Sequence, residues 1–234
     1  MSVTANISLI RERIAAAARR AGRSPDDITL MAVSKTHPPE SIREAYDAGV
    51  RVFGENRVQE FAGKVDALRG LRDCEWHLIG HLQTNKSAKA VELFHSLDSV
   101  DSLKLAEKLD AAARKVGRTL PVLIEINVGG ETAKSGVAPD SSALEELMIA
   151  APRLESLSFR GLMTLPPWTD DPQDSRRYFR KLRDLRDTMA ARKLPGVSLD
   201  ELSMGMSQDF EVAVEEGSTC VRVGTAIFGE RARG

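Results

Sequence analysis

The run Ile28-Thr29-Leu30-Met31-Ala32-Val33-Ser34-Lys35 is apolar nearly to its end and stops on a cation. Its length and residue types predict a β-strand, with Met31, Val33 and Lys35 on one face. Outward from it two periodicities take turns. A helical pattern over 39–48 closes at Gly49, and a second β-rich run follows at 50–55. The alternation continues to the end of the chain. Further β-rich runs fall at 75–80, 93–98, 121–128, 157–164, 201–206 and 219–224, with helical patterns at 58–69, 85–92, 102–116, 141–150, 174–192 and 209–216. Upstream, 5–21 reads as a leading amphipathic helix with Thr4 as its N-cap. Strict alternation implies parallel strands joined by crossovers. Eight such units predict a closed (β/α)8 TIM barrel with an extra N-terminal helix. An open doubly wound sheet would place a glycine-rich turn after its first strand, and none follows Lys35.

Composition agrees with one barrel. The chain has 234 residues, 42% hydrophobic and 29% charged, which suits a single domain over 1–234. Thirty-three basic residues against 34 acidic ones give a net charge of −1, so nothing draws the chain to nucleic acid or to an anionic membrane. Cys74 and Cys220 show no metal-ligand spacing, which points to a reducing, cytoplasmic setting. No apolar run approaches the ~18 residues of a membrane span. The stretch from Pro166 to Pro172 reads as one long βα loop rather than a domain boundary. No helix face is left strongly apolar without a use in the barrel, so a monomer is expected.

In a barrel of this kind the open pocket lies where strands end. The predicted strand ends are Lys35, then Gly54-Glu55-Asn56, Gly80-His81, Asp98, Asn127, Met163-Thr164, Ser207 and Gly224-Thr225. Lys35 is open to two readings. Facing the interior, its amine would be desolvated toward the neutral form and could attack an aldehyde to form an imine; facing out, it would simply snorkel to solvent. Ser207, Gly224 and Thr225 suit the phosphate seat that such barrels build after strands seven and eight. Alternatively Gly205 and Gly224 are turn glycines and Ser207 caps the helix near Asp209. Arg222, between Val221 and Val223, either points into the barrel or pairs with a carboxylate among the outer helices.

Six ordered blocks sharpen these readings. They are Ala32-Val33-Ser34-Lys35-Thr36; Phe53-Gly54-Glu55-Asn56-Arg57-Val58-Gln59-Glu60; Trp76 through Lys86; Asn127-Val128 with Glu131 and Lys134-Ser135-Gly136; Gly161-Leu162-Met163-Thr164; and Leu202 through Ser207 with Val221 through Gly229. By them the chain resembles the pyridoxal phosphate homeostasis proteins, relatives of the barrel domain of bacterial alanine racemase, over nearly its whole length. The resemblance implies a Schiff base between pyridoxal 5′-phosphate and Lys35, with the phosphate on Ser207, Gly224 and Thr225. It also implies Arg222 near the pyridine nitrogen, with Asn56 and Met163 lining the cofactor and Lys134 as a further reactive amine.

A cationic Arg222 beside the ring nitrogen would oppose its protonation and weaken the ring as an electron sink. Racemases of this kind also use a tyrosine from a C-terminal β-domain that the sequence lacks. Tyr46 and Tyr178 fall in predicted outer helices, and His81 is read as a loop histidine or an acid. The expectation is therefore a non-enzymatic carrier in vitamin B6 homeostasis that hands the cofactor to apo-enzymes. A racemase-like enzyme is the alternative, and a Schiff-base aldolase a third reading. Arg176 through Lys193 is read as a solvated helix face.

Overall fold

The computed structural model describes residues 2–131 and 134–229. Eight parallel strands close in chain order: β1 (Thr29–Val33), β2 (Val52–Glu55), β3 (Glu75–Leu78), β4 (Ser96–Val100), β5 (Leu120–Glu125), β6 (Leu157–Met163), β7 (Val197–Met206) and β8 (Cys220–Val223). The last strand pairs with the first, Thr29 opposite Cys220 and Ala32 opposite Val223. Around the barrel run α1 (Val3–Arg20), α2 (Pro39–Asp47), α3 (Val58–Leu68), α4 (Ser87–Leu93), α5 (Leu103–Lys115), α6 (Ser142–Ala150), α7 (Arg176–Ala190), α8 (Phe210–Glu215) and α9 (Thr225–Phe228). The expected (β/α)8 barrel is therefore the observed one.

The differences have local causes. The leading helix is capped by Ser2, not Thr4: the Ser2 Oγ accepts from Ala5 N–H at 3.2 Å. Helix α4 runs through Leu93, so β4 starts three residues later than expected and Asp98 sits mid-strand instead of at the rim. Strand β5 ends at Glu125, because the chain there folds back on itself. Val137 N–H bonds the Glu125 carbonyl and Asn127 N–H bonds the Val137 carbonyl, both at 2.9 Å.

Helix α9 is a single turn, too short to show a periodicity, and α1 takes its place in the ring by packing on α2, α8 and α9. Ile7, Ile10 and Ile14 are buried in that seam, each contributing roughly 1.5–3 kcal/mol of burial before chain entropy is subtracted. The arginine-rich α7 is more than a solvated face. Arg176, Arg180 and Arg183 converge on the buried Glu216 carboxylate at 2.8, 3.1 and 2.9 Å. None of the helices among the described residues is long and apolar enough to cross a membrane.

Alternation along the strands makes two interiors. Outward-facing Ala32, Phe53, Trp76, Leu97, Ile124, Leu202 and Val223 join the helices in one large apolar core. Inside the barrel, Met31, Val33, Ile79 and Cys220 form a small separate cluster with Val52 against it. The rest of the lumen is polar, with His77, Asp98, Glu125, Ser203 and Arg222 all facing inward. Strand register shifts occur only along β4–β8, the half that carries most of these groups, where bulges re-aim side chains.

Candidate functional site at the carboxyl-terminal mouth

Beyond the apolar lumen cluster the barrel opens into a cavity of about 800 Å³ at the C-terminal ends of the strands. Lys35 lies on its wall two residues beyond Val33, in the turn that follows β1. The turn that presents it is held from outside the barrel. Ser34 Oγ donates to Glu55 Oε1 at 2.7 Å, and Lys64 Nζ donates to the Ser34 carbonyl at 3.2 Å. Glu60 pairs with Lys64 at 2.8 Å and accepts the Thr36 N–H at 2.5 Å. Thr36 itself has φ +65°, a left-handed conformation that a β-branched residue adopts only when its surroundings impose it. Burial pushes the Glu55 carboxyl up from its ordinary value, against the pull of Ser34 and Lys64.

Across the mouth, Ser207 does not cap α8. Its Oγ accepts from the Gly224 and Ala226 N–H groups at 3.2 and 3.3 Å, so two backbone amides and a hydroxyl converge on one point beside Thr225. That concavity has the donor set for an oxyanion. Two close approaches shape the rim. A Cβ on Gly80 would lie 2.4 Å from the Asn56 carbonyl oxygen, and one on Gly205 would lie 2.5 Å from the Ala213 Cβ; Gly205 also has φ +96°. Only glycine lets the Asn56 loop and α8 sit this near the strands.

Arg222 points into the lumen, which rules out pairing among the outer helices. It is 2% exposed, its Nη1 donates to Ser203 Oγ at 2.7 Å, and its Nη2 donates to the Thr164 carbonyl at 2.6 Å. Burial draws its pKa below the ordinary arginine value, yet a guanidinium remains charged across the working range. A fixed cation thus forms part of the cavity floor.

Six of the seven expected site residues line this cavity: Lys35, Asn56, Ser207, Arg222, Gly224 and Thr225. Met163 does not. It is fully buried, facing the lumen in register with Glu125 and Ser203 but not reaching the cavity surface. Lys134 stands at the edge, paired with Glu131 and donating to the Pro166 carbonyl at 3.2 Å. His81 lines the mouth with its Nδ1 3.1 Å from Asp101 Oδ2. Tyr46 and Tyr178 lie under the guanidinium groups of Arg51 and Arg177 in the helical ring.

Two features escaped the sequence reading. Glu125 reaches the cavity wall one strand layer below Asn127, and the only signal for it was a lone carboxylate inside the apolar run Val122-Leu123-Ile124-Glu125-Ile126. Its Oε1 accepts from Ser135 Oγ at 2.9 Å, while Oε2 is the one buried side-chain polar atom without a hydrogen-bond partner among the described residues. The second is the part played by the loop after β6, legible in the sequence as a long βα connection but not as a wall of the cavity, which its Leu165, Pro167 and exposed Trp168 line.

A parallel eight-stranded barrel with a lysine just past the end of β1, and with two backbone amides and a serine hydroxyl meeting between β7 and β8, defines a class. Residues 5–232 match the family model of the alanine racemase N-terminal domain. Within that class the chain belongs to the pyridoxal phosphate homeostasis protein family. It is 48% identical over 231 residues to the pyridoxal phosphate homeostasis protein of Aquifex aeolicus, covering 99% of both chains. Among solved structures it is similar to PipY of Synechococcus elongatus with PLP bound, at 40% identity and TM-score 0.81, covering 94% of this chain and 100% of that one. A crystal structure of an unknown protein from Bifidobacterium adolescentis matches at 40% identity and TM-score 0.88, over 97% of this chain and 94% of the other.

Proposed function

We propose that this chain binds pyridoxal 5′-phosphate in the cavity as a Schiff base on Lys35, and that it buffers and delivers the cofactor inside the cytoplasm. The observation that carries the reading is the meeting, on one wall-to-floor surface, of Lys35, the Ser207–Gly224–Thr225 seat and the Arg222 cation. An aromatic aldehyde carrying a phosphate needs an amine for the aldehyde, convergent N–H and O–H donors for the phosphate, and no unfilled charge around the ring. The residues present fit that group. Asn56 lines the ring space, and Met163 supports it from within the lumen, between Glu125 and Ser203.

When bound, the cofactor would supply an electrophilic carbon and a conjugated ring able to accept electrons. This chain's residues favour holding it over using it. Arg222 places a fixed positive charge on the floor, which disfavours protonation of a ring nitrogen nearby and so weakens electron withdrawal. Neither tyrosine is near the cavity to serve as the opposing acid or base of a racemase. Exposed large apolar side chains are spread over α1, the end of α5, α6 and the β6 loop, which supports a monomer, to be checked by light scattering.

The test is direct. The purified protein incubated with pyridoxal 5′-phosphate should turn yellow, and borohydride should then fix one phosphopyridoxyl group on Lys35, read by peptide mass. Labelling elsewhere with Lys35 unmodified refutes the assignment. Incubation with amino acids in deuterated water should leave their α-protons unexchanged; steady exchange would establish the racemase-like alternative.

A further inference from the structure

Glu125 closes β5 with its side chain in the lumen, alternating with the outward Ile124 and Ile126 of the apolar mantle. The carboxyl is 3% exposed, yet it lines the cavity. Ser135, on the loop that folds back after β5, uses Oε1; nothing described uses Oε2. An orphaned buried oxygen is costly in the empty protein, so a carboxyl kept there is placed for something that enters the cavity.

Its surroundings tilt it toward the protonated form. Burial pushes the carboxyl above its ordinary value, Asp101 adds to the rise, and Ser135, Arg222 and His81 act against it. A protonated carboxyl presents an O–H donor beside a guanidinium that is also only a donor. In that form Oε2 would add a donor to those of Arg222 at the cavity surface, and the two would match an acceptor edge of an aromatic ring, such as an unprotonated ring nitrogen or a phenolate oxygen. We infer that Glu125 is a ligand-contacting residue whose Oε2–H donates a hydrogen bond to an acceptor on the ring of the bound aldehyde. This rests on the proposed pyridoxal 5′-phosphate reading of the cavity and adds to it a residue outside the lysine and phosphate contacts.

The consequence runs in opposite directions for binding and for stability. Glu125→Leu removes the donor and also the orphaned oxygen, so the ligand-free variant should melt at or above the wild-type temperature while binding about tenfold more weakly. Glu125→Gln keeps a donor in the same place and should recover most of that affinity. Binding is measured by calorimetry with two probes, pyridoxal 5′-phosphate and 4′-deoxypyridoxine 5′-phosphate, which has the ring and the phosphate but no aldehyde. The expected result is the same loss with both probes in Glu125→Leu, with a shifted absorption band for the bound ring. In ligand-free protein, the infrared carbonyl band of a protonated carboxyl should be present in wild type and missing from Glu125→Gln. Unchanged affinity and band position in Glu125→Leu, or absence of that infrared band from wild type, overturns the inference and leaves the lysine reading standing. If wild type binds neither probe, the reading of the cavity falls and the inference falls with it.

Discussion

Both mouths of the barrel are polar, and they differ in how fully their polar groups are satisfied. At the N-terminal mouth a cavity of about 570 Å³ is walled by Glu75, His77, His95, Arg118, Arg160 and Glu201. These groups bind one another or the backbone. His77 Nδ1 lies 3.0 Å from Asp98 Oδ2, Ser96 Oγ donates to Asp98 Oδ1 at 2.6 Å, Arg160 pairs with Glu201 at 2.8 Å, and Arg118 donates to the Val91 and Phe94 carbonyls. At the C-terminal mouth, Ser207 gathers two amides around an open seat, Arg222 stands under the cavity and Glu125 Oε2 has no protein partner. One end spends its polar groups on holding the barrel closed. The other also bonds most of its polar groups internally, the amides to Ser207 and Arg222 to Ser203 and Thr164, but leaves Glu125 Oε2 without a protein partner, and this is the end of the barrel where ligand chemistry belongs.

The largest effect that could break this contrast is at Lys35. Lys35→Ala should abolish the near-visible band formed with pyridoxal 5′-phosphate and the borohydride label, while circular dichroism and melting stay near wild type. A collapse of the fold instead would make Lys35 a structural lysine and erase the distinction between the two mouths.

Next in size is the buried pair at the other end. Burial alone would lower the His77 pKa, but attraction to Asp98, the hydrogen bond between them and the nearby Glu75 together push it up to about 10. A histidine whose folded pKa lies above its unfolded value near 6.5 stabilises the fold fully below that value, and loses the contribution as pH rises through about 10. Asp98→Ala should cost roughly 3–5 kcal/mol at neutral pH, because it strands a buried imidazolium or forces it to shed its proton. Urea titrations between pH 6 and pH 10 check this, since the wild type should weaken across that window and the variant should lose most of the slope. Cofactor binding, measured under stabilising conditions, should change far less than stability.

A smaller effect joins the two kinds of site. Lys64 lies outside the barrel, yet it holds the Ser34 carbonyl, Glu55 and Glu60, and through them the turn that carries Lys35. Lys64→Met should cost about 1–3 kcal/mol by leaving the buried Glu55 without its cation, and it should slow formation of the near-visible band at saturating aldehyde. Lost stability with an unchanged rate of band formation would show that the turn holds its shape without this clamp.

The sequence made some of this legible and hid the rest for physical reasons. Eight strands were readable because each is a short apolar run between helical periods, and Lys35, Asn56, Ser207, Arg222, Gly224 and Thr225 were readable as residues at or near strand ends. Met163, also at a strand end, faces the lumen between Glu125 and Ser203 but is fully buried short of the cavity surface. Glu125 was hidden by a strand read to Val128, which put Asn127 on the rim; the fold-back through Val137 that ends β5 early depends on a non-local bridge. His77 and Asp98 are 21 residues apart and meet only when β3 and β4 pair. The convergence of Arg176, Arg180 and Arg183 on Glu216 is equally non-local, because helical spacing reveals a charged stripe but not the carboxylate it will meet.

The smallest effect on the fold is expected at Trp168, where it gives the sharpest local reading. Of the two tryptophans, Trp76 is buried in the mantle with ring centroids 5.0 Å from Phe53 and 4.8 Å from Phe61, whereas Trp168 is 75% exposed at the cavity opening. Trp168→Ala removes little buried area and should change stability by less than about 0.5 kcal/mol. A conjugated aldehyde bound in the cavity would lie near Trp168, so its emission should be quenched on addition of pyridoxal 5′-phosphate and the variant should lose most of that response. Trp76, walled off by its aromatic neighbours on the far side of the strands, should contribute a smaller change. An undiminished response in the variant would put the bound ring deeper in the lumen, closer to Ile79 and Trp76 than to the β6 loop.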